Sequence, residues 1–349
     1  MIYVHVPFCK SFCTYCDFYS EICTEKVQNL FLSSLYGEIL TRRDEIRRAL
    51  EPRTLYIGGG TPSVLPAAAI SEIVRRLDAG PYEEFTVEVN PDDVTPAYAA
   101  ALAAAGVNRV SMGVQSFDDA LLRWMNRRHD AAGARAAFAA LRAAGIRNVS
   151  IDLIFGISQL SQAQWRRTVE EALELRPEHI SAYQLSVESG SALARMVREG
   201  RYAEASEDHC RAQYDTLCAL LGAAGYHHYE ISNFALPGYE ARHNAAYWRR
   251  VPYVGLGPGA HSFDGRVRSW NSGTLPDWTR TGETLSESEA REEAVMLGLR
   301  TDAGIPASLV DAAAAAPLLQ AGALIQDQGR LRIPEDHFFV CDDIIASLI

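Results

Sequence analysis

Three cysteines, Cys9, Cys13 and Cys16, crowd the stretch FCKSFCTYC near the start of the chain, in the spacing CxxxCxxC. Thiolates are soft ligands that suit iron-sulfur clusters, zinc and copper(I). A closed structural zinc site takes four ligands, usually from two paired motifs. Here the set stops at three and is followed by Asp17 and Phe18. Three thiolates on a cubane cluster leave one iron without a protein ligand, open to a substrate or cofactor. The alternative is a zinc site completed by Asp17 or His5, and the spacing alone leaves both open. Phe8, Phe12, Tyr15 and Phe18 favour the cluster, because an aromatic shell tunes its potential and limits solvent access.

A second stretch, YIGGGTP, sets Gly58, Gly59 and Gly60 ahead of Thr61. Consecutive glycines let backbone approach a ligand closely. The loop lacks the Lys of a phosphate-binding motif, so a nucleoside triphosphate is not indicated. The other cysteines, Cys23, Cys210, Cys218 and Cys341, have no metal-type spacing. Cys210 and Cys218 read as small apolar residues packed on a helix. Seven cysteines in all, an odd number, do not suggest a disulfide framework.

Such residues need a frame. Short β-rich runs at 2–6, 54–57, 85–89, 109–114, 149–153 and 179–185 alternate with helical patterns at 25–49, 66–78, 96–105, 131–144, 162–175 and 204–224. Gly106 and Gly145 each follow a helix, where a left-handed residue ends it. Six β/α units predict an α/β fold with a parallel sheet, open or closed into a barrel. In both, ligands gather beyond the carboxyl ends of the strands. The cysteine loop, the triple glycine, Glu88 with Asn90, Gln115, Asp152 and Gln184 all fall at those ends. One edge of the sheet is thus expected to carry one active site.

After residue 225 the pattern turns to loops rich in Gly, Pro and aromatics, and from about 286 a helix leads to a small unit with a short β-wing. The expected organisation is a core at 1–225, an extension at 226–285 and a small C-terminal α+β domain at 286–349. At 349 residues and 48% hydrophobic, the chain can bury a large core. A net charge of -11 argues against nucleic acid as a partner. No apolar run is long enough to cross a bilayer and no secretory signal is evident, so a cytoplasmic protein is expected, with room for peripheral membrane contact.

CxxxCxxC after a first strand, with GGGTP after the second, resembles the radical S-adenosylmethionine (SAM) superfamily. That family folds as a partial (β/α)6 barrel. The phrases IYVHVPFC, YIGGGTPSVL, TVEVNP, RVSMGVQSF, NVSIDLIFGI and GLGPGAHSF, with EAVMLGLRTDAGI near the end, resemble its branch containing HemN and HemW. HemN is the oxygen-independent coproporphyrinogen III oxidase (dehydrogenase), and HemW a haem chaperone. The resemblance implies a 4Fe-4S cluster on Cys9, Cys13 and Cys16, with the amine and carboxylate of SAM on the fourth iron. It further implies reductive cleavage of SAM to a 5'-deoxyadenosyl radical inside a dry barrel. Tyr3 is expected against the cluster loop, and Gly59, Gly60 and Thr61 at the methionyl part of SAM. Glu88, Gln115, Arg127 and Asp152 match further SAM contacts, and their chemistry suits hydroxyl, ammonium and carboxylate groups. Taken alone, Arg127 in NRRHD reads equally as a solvated helix charge, and Asp152 as a structurally paired acid.

Two departures separate the chain from the oxidase of this branch. The oxidase has one more cysteine two places after the third, where this chain has Phe18, and an extension ahead of the first strand, where this chain has eight residues before Cys9. HNAAYW, at 243–248, matches the HNxxYW signature associated with HemW. It implies His243 as a ligand for haem carried as cargo to haem-accepting proteins. His227, His228 and His261 lie in the same aromatic region without a signature of their own. The leading expectation is a cluster- and SAM-binding haem chaperone. The alternatives are oxidative decarboxylation of coproporphyrinogen III in haem biosynthesis and a zinc-stabilised binding module.

Overall fold

The computed structural model describes residues 1–273 and 275–349. Six strands carry the site: β1 (Ile2–Val6), β2 (Thr54–Gly59), β3 (Glu84–Val89), β4 (Arg109–Gln115), β5 (Asn148–Phe155) and β6 (His179–Gln184). Each pairs in parallel with the next, in chain order. Parallel neighbours need long crossovers. These are supplied by α1 (Glu25–Thr41), α2 (Ala67–Leu77), α3 (Pro96–Ala104), α4 (Ala131–Ala143) and α5 (Gln162–Leu175), with α6 (Glu207–Ala223) following β6. Side-chain caps fix several starts; Ser161 and Gln164 form a reciprocal capping box on α5.

The two faces of the strands differ in kind. Along β4, Val110, Met112 and Val114 are buried in the apolar layer, while Arg109, Ser111, Gly113 and Gln115 line the inner cavity. This is the alternation a strand imposes, with polar groups turned inward and apolar groups outward against helices. Glu88, Asp152 and Ser181 obey the same rule on their strands. The mixed α/β fold expected from the sequence, a parallel sheet with helical crossovers, is what forms.

The sheet continues on both sides. Strand β9 (Val254–Leu256) pairs in parallel with β1. Beyond β6, β8 (Asn233–Ala235) and β7 (His227–Glu230) add antiparallel. Among the described residues this makes a nine-stranded sheet, so the segment at 226–285 is built partly onto the core sheet. The rest of that segment contains α7 (Arg242–Trp248) and an antiparallel sheet of β10 (His261–Phe263), β11 (Val267–Asn271) and β12 (Arg280–Thr284). The C-terminal unit combines α8 (Glu287–Gly298), α9 (Ala312–Gln320) and α10 (Cys341–Ala346) with a wing of β13 (Ile305–Pro306), β14 (Ile325–Asp327) and β15 (Arg330–Arg332).

The helix expected over 25–49 is broken at Arg42, and a second short helix runs Arg43–Arg48. The cause is tertiary. The buried Arg42 guanidinium donates to Glu38, Glu45, the Gly255 carbonyl and Ser262, which ties α1 to β9 and β10. No helix among the described residues is long and apolar enough to cross a membrane.

Candidate functional site

Cys9 lies just beyond β1, and the loop that follows it carries Cys13 and Cys16. That loop is anchored by backbone groups from elsewhere. Thr14 N–H donates to the Met125 carbonyl at 3.1 Å, its hydroxyl donates to the Trp124 carbonyl at 2.8 Å, and Leu193 N–H donates to the Thr14 carbonyl at 2.8 Å. Asn126 adds a side-chain donor to the Phe12 carbonyl at 2.7 Å. Arg127 Nη1 reaches Cys13 Sγ at 3.3 Å, and Thr61 Oγ1 lies 3.5 Å from Cys9 Sγ.

The glycine loop presses against this segment. Gly59 has φ +119, and a Cβ there would lie 2.8 Å from the Val6 carbonyl oxygen. A Cβ on Gly60 would lie 2.7 Å from the Phe8 carbonyl oxygen and 3.1 Å from Cys9 Sγ. Only glycine leaves that cradle open. Gly60 N–H donates to the Val6 carbonyl at 2.9 Å, and Gly59 N–H to Glu88 Oε2 at 3.0 Å.

Behind the loops sits a cluster of buried charge. Burial pushes the Glu88 carboxyl up to about 7, against the opposing hydrogen bond from Tyr56 OH at 2.7 Å. Burial also raises Asp152, opposed by hydrogen bonds from Ser181 and Ser111, the latter at 3.1 Å. Arg127 is held by Asn90 Oδ1 at 2.8 Å and by the Gly113 carbonyl, while its Nε has no partner. Arg109 is 1% exposed and its Nε is likewise unpartnered. Buried donors without partners at a cavity wall suit a ligand that brings acceptors.

The residues present fit a 4Fe-4S cluster with SAM. Three thiols converge on the cavity, and burial, then the neighbouring Cys13 and Cys9, push the Cys16 thiol up to about 11. A bound metal group reverses that preference and holds thiolates. The cavity, about 820 Å³, is lined by the three cysteines and by Tyr3, Gly59, Gly60, Thr61, Glu88, Gln115, Arg127 and Asp152. It therefore brings together every sequence-derived candidate for cluster and SAM. Arg127 is not a solvated helix charge; it bridges the cysteine loop and the strand ends. Asn90, expected at a strand end, lines the cavity too, and Tyr56, Arg109, Ser111, Ser181 and Tyr183 also line it and were missed. Most sit at alternating positions of their strands, a signal the sequence contains.

His243 is not among the residues that line this cavity. Its ring is fully buried, Nδ1 pairs with Thr54 Oγ1 at 2.8 Å and Nε2 with Tyr247 OH at 3.0 Å. Burial, then the charges of the N-terminal amine and Arg109, lower its pKa to about 3, so the ring is neutral. Both nitrogens are engaged within the fold. His243 instead packs against Tyr56, with ring centroids 5.2 Å apart, next to the strand starts at Thr54 and Glu84. Of the other histidines, His228 is buried, while His227 and His261 are exposed. The aromatic shell also differs from expectation: Phe8 packs edge-on against Phe31, but Phe12 and Phe18 are 48% and 73% exposed.

Residues 3–172 match the family model described as the Radical SAM superfamily. A heme chaperone HemW of Lactococcus lactis is 36% identical over 315 residues, which cover 87% of this chain and 82% of that protein. A heme chaperone HemW of Mycobacterium tuberculosis is 35% identical across 100% of this chain and 94% of its own. Among solved structures, coproporphyrinogen III oxidase (HemN) from Escherichia coli, a radical SAM enzyme, matches with a TM-score of 0.84 at 22% identity. The match covers 99% of this chain and 89% of that one, and it speaks for a shared fold. With the cysteine loop, the glycine cradle and the buried acids gathered on one cavity, these likenesses place the chain in the HemN/HemW branch of the radical SAM superfamily.

Proposed function

We propose that this chain holds a 4Fe-4S cluster on Cys9, Cys13 and Cys16, binds SAM beside it, and acts as a haem chaperone that delivers haem to haem-accepting proteins. The observation that carries the cofactor reading is the convergence of the three thiols, the glycine cradle and the buried acids on one cavity. The haem reading is supported by relatives named heme chaperone HemW at 36% and 35% identity.

When bound, the cluster supplies an electron for opening a carbon-sulfur bond of SAM. The chain does the rest. Gly60 and Thr61 leave room for the methionyl end beside Cys9. Glu88 and Asp152 accept from hydroxyl or ammonium groups, and each is already oriented by protein donors. Arg127 holds the cysteine loop at a fixed distance from β4. Tyr3 belongs to the same wall, and Gln115 closes β4 at φ +69, which turns its amide at the cavity edge. We place the SAM-binding core at 1–225, with 226–285 and 286–349 as the parts added to it.

The test is a haem titration of anaerobically reconstituted protein, with and without SAM, followed by transfer to an apo-haem protein. Saturable haem binding and transfer support the chaperone. Coproporphyrinogen III turnover without haem binding would instead make it an oxidase. Iron and acid-labile sulfide analysis tests the zinc-stabilised alternative.

A further inference from the structure

Away from the cavity, a thiol, an imidazole and a carboxylate converge from three separate segments. Cys218 lies on α6, His228 on β7, and Glu335 opens the 3-10 turn Glu335–Val340. Their donor atoms lie within 4.8 Å of one another. His228 Nδ1 is 4.0 Å from Cys218 Sγ and 3.1 Å from Glu335 Oε1. Tetrahedral zinc, with sulfur at about 2.3 Å and nitrogen or oxygen at about 2.0 Å, separates its ligand atoms by about 3.3 to 3.6 Å. The two histidine spacings need adjustments of about half an ångström or less, and the sulfur–carboxylate spacing, within 4.8 Å, closes by up to about 1.3 Å through rotation of the exposed Glu335 side chain.

The His228 ring is fixed by packing that involves none of the other donors. It stacks on Phe234 with centroids 3.9 Å apart and meets the edge of Phe338 at 5.0 Å. Its Nε2 lies 3.4 Å from the Ile231 carbonyl oxygen, which can only accept. The Tyr214 hydroxyl, also 3.4 Å from Nε2, can accept from it or donate to it; when Nε2 carries the proton, the lone pair of Nδ1 faces the thiol and the carboxylate. A ring nitrogen backed by a carbonyl on its far side is the usual arrangement of a metal-bound histidine. A lone pair 3.1 Å from a carboxylate oxygen repels it, and either a proton or a cation must lie between them.

We propose that Cys218, His228 and Glu335 form a second metal site, specific for a borderline divalent cation with the preferences of zinc. Sulfur, nitrogen and oxygen donors together match that ion, and water completes the fourth position. Burial, then Glu335 and Asp215, push the Cys218 thiol up to about 12, so the thiol gives up its proton to solvent as the zinc-sulfur bond forms. The ion joins α6 and β7 to the turn that leads into α10. Its role is a clamp that holds the end of the chain on the barrel, separate from the SAM chemistry.

The experiment uses the full chain with its cluster assembled, so that Cys9, Cys13 and Cys16 are occupied. Zinc chloride is titrated in, excess is removed, and zinc is counted against iron and protein. One zinc per chain is expected, and Cys218→Ser and Glu335→Gln should each weaken zinc binding about tenfold or more. Glu335 is exposed, so its variant keeps the fold whatever Cys218→Ser does. Circular dichroism and cluster absorbance report on folding in both. A parent chain that holds no zinc overturns the site and leaves a proton between Nδ1 and Oε1. Zinc held by Glu335→Gln as tightly as by the parent overturns it as well.

Discussion

Replacing Glu88 with Gln isolates the effect of one buried carboxyl in the cavity. In the folded chain the Glu88 carboxyl takes up its proton at about 7, against 4.5 for a free glutamate, because burial outweighs the donors Tyr56 and Gly59. A gap of that size is worth about 3 kcal/mol, at 1.36 kcal/mol per pH unit. Below pH 4.5 both the folded and unfolded chains hold the proton, and the group contributes nothing. Between 4.5 and 7 the unfolded chain has released its proton and the folded chain has not, so stability falls as pH rises. Above 7 the full cost stays. Glu88→Gln removes this slope, so the variant should gain about 3 kcal/mol on the parent between pH 4.5 and 7.5, whatever constant offset its altered hydrogen bonds add. Urea denaturation of ligand-free chain across that range reads the difference. SAM titration reads the converse: parent affinity should rise as the pH passes 7 and the carboxylate forms, while the variant binds about tenfold more weakly with a flat profile. Parallel stability curves for the two proteins would falsify the burial argument.

Gly60→Ala should lower stability by about 1 to 3 kcal/mol and weaken SAM binding, since the added carbon meets the Phe8 carbonyl at 2.7 Å and displaces Cys9; calorimetry and SAM titration check this. Arg127→Ala should reduce SAM affinity about tenfold and lower the iron retained after gel filtration, because Cys13, Asn90 and Gly113 lose a shared donor; unchanged iron and affinity count against it. His243→Ala should cost about 2 to 4 kcal/mol of stability, by leaving a void and depriving the Thr54 and Tyr247 hydroxyls of a partner, with SAM affinity unchanged. A melting temperature equal to the parent's would show that the ring is not the packed element described above.

The frame was legible because parallel strands backed by a layer of helices are written as short runs rich in Val, Ile and Phe between long helical patterns. The strand-end rule then located Cys9, Gly59, Glu88, Gln115 and Asp152 without any knowledge of their contacts. What it overlooked lay deeper. Arg109, Ser111 and Gly113 alternate with Val110, Met112 and Val114, and this period of two marks an inward polar face below the strand ends. The burial of His243 was hidden for another reason. A motif reports identity, whereas burial is decided by Thr54 and Tyr56, nearly two hundred positions away in sequence. The break at Arg42 was also invisible locally, since its cause is a carbonyl on β9.

Arg127 has a wider consequence. One guanidinium spans from Cys13 to Asn90 and Gly113, so the thiol-bearing loop and the ends of two neighbouring strands share a single rivet. Injury by oxygen to that loop would not stay local: as the rivet loosens, the wall that grips the nucleotide slackens with it. Such a chain would lose its electron source and its grip together, and a half-disabled form still holding its cosubstrate would not accumulate.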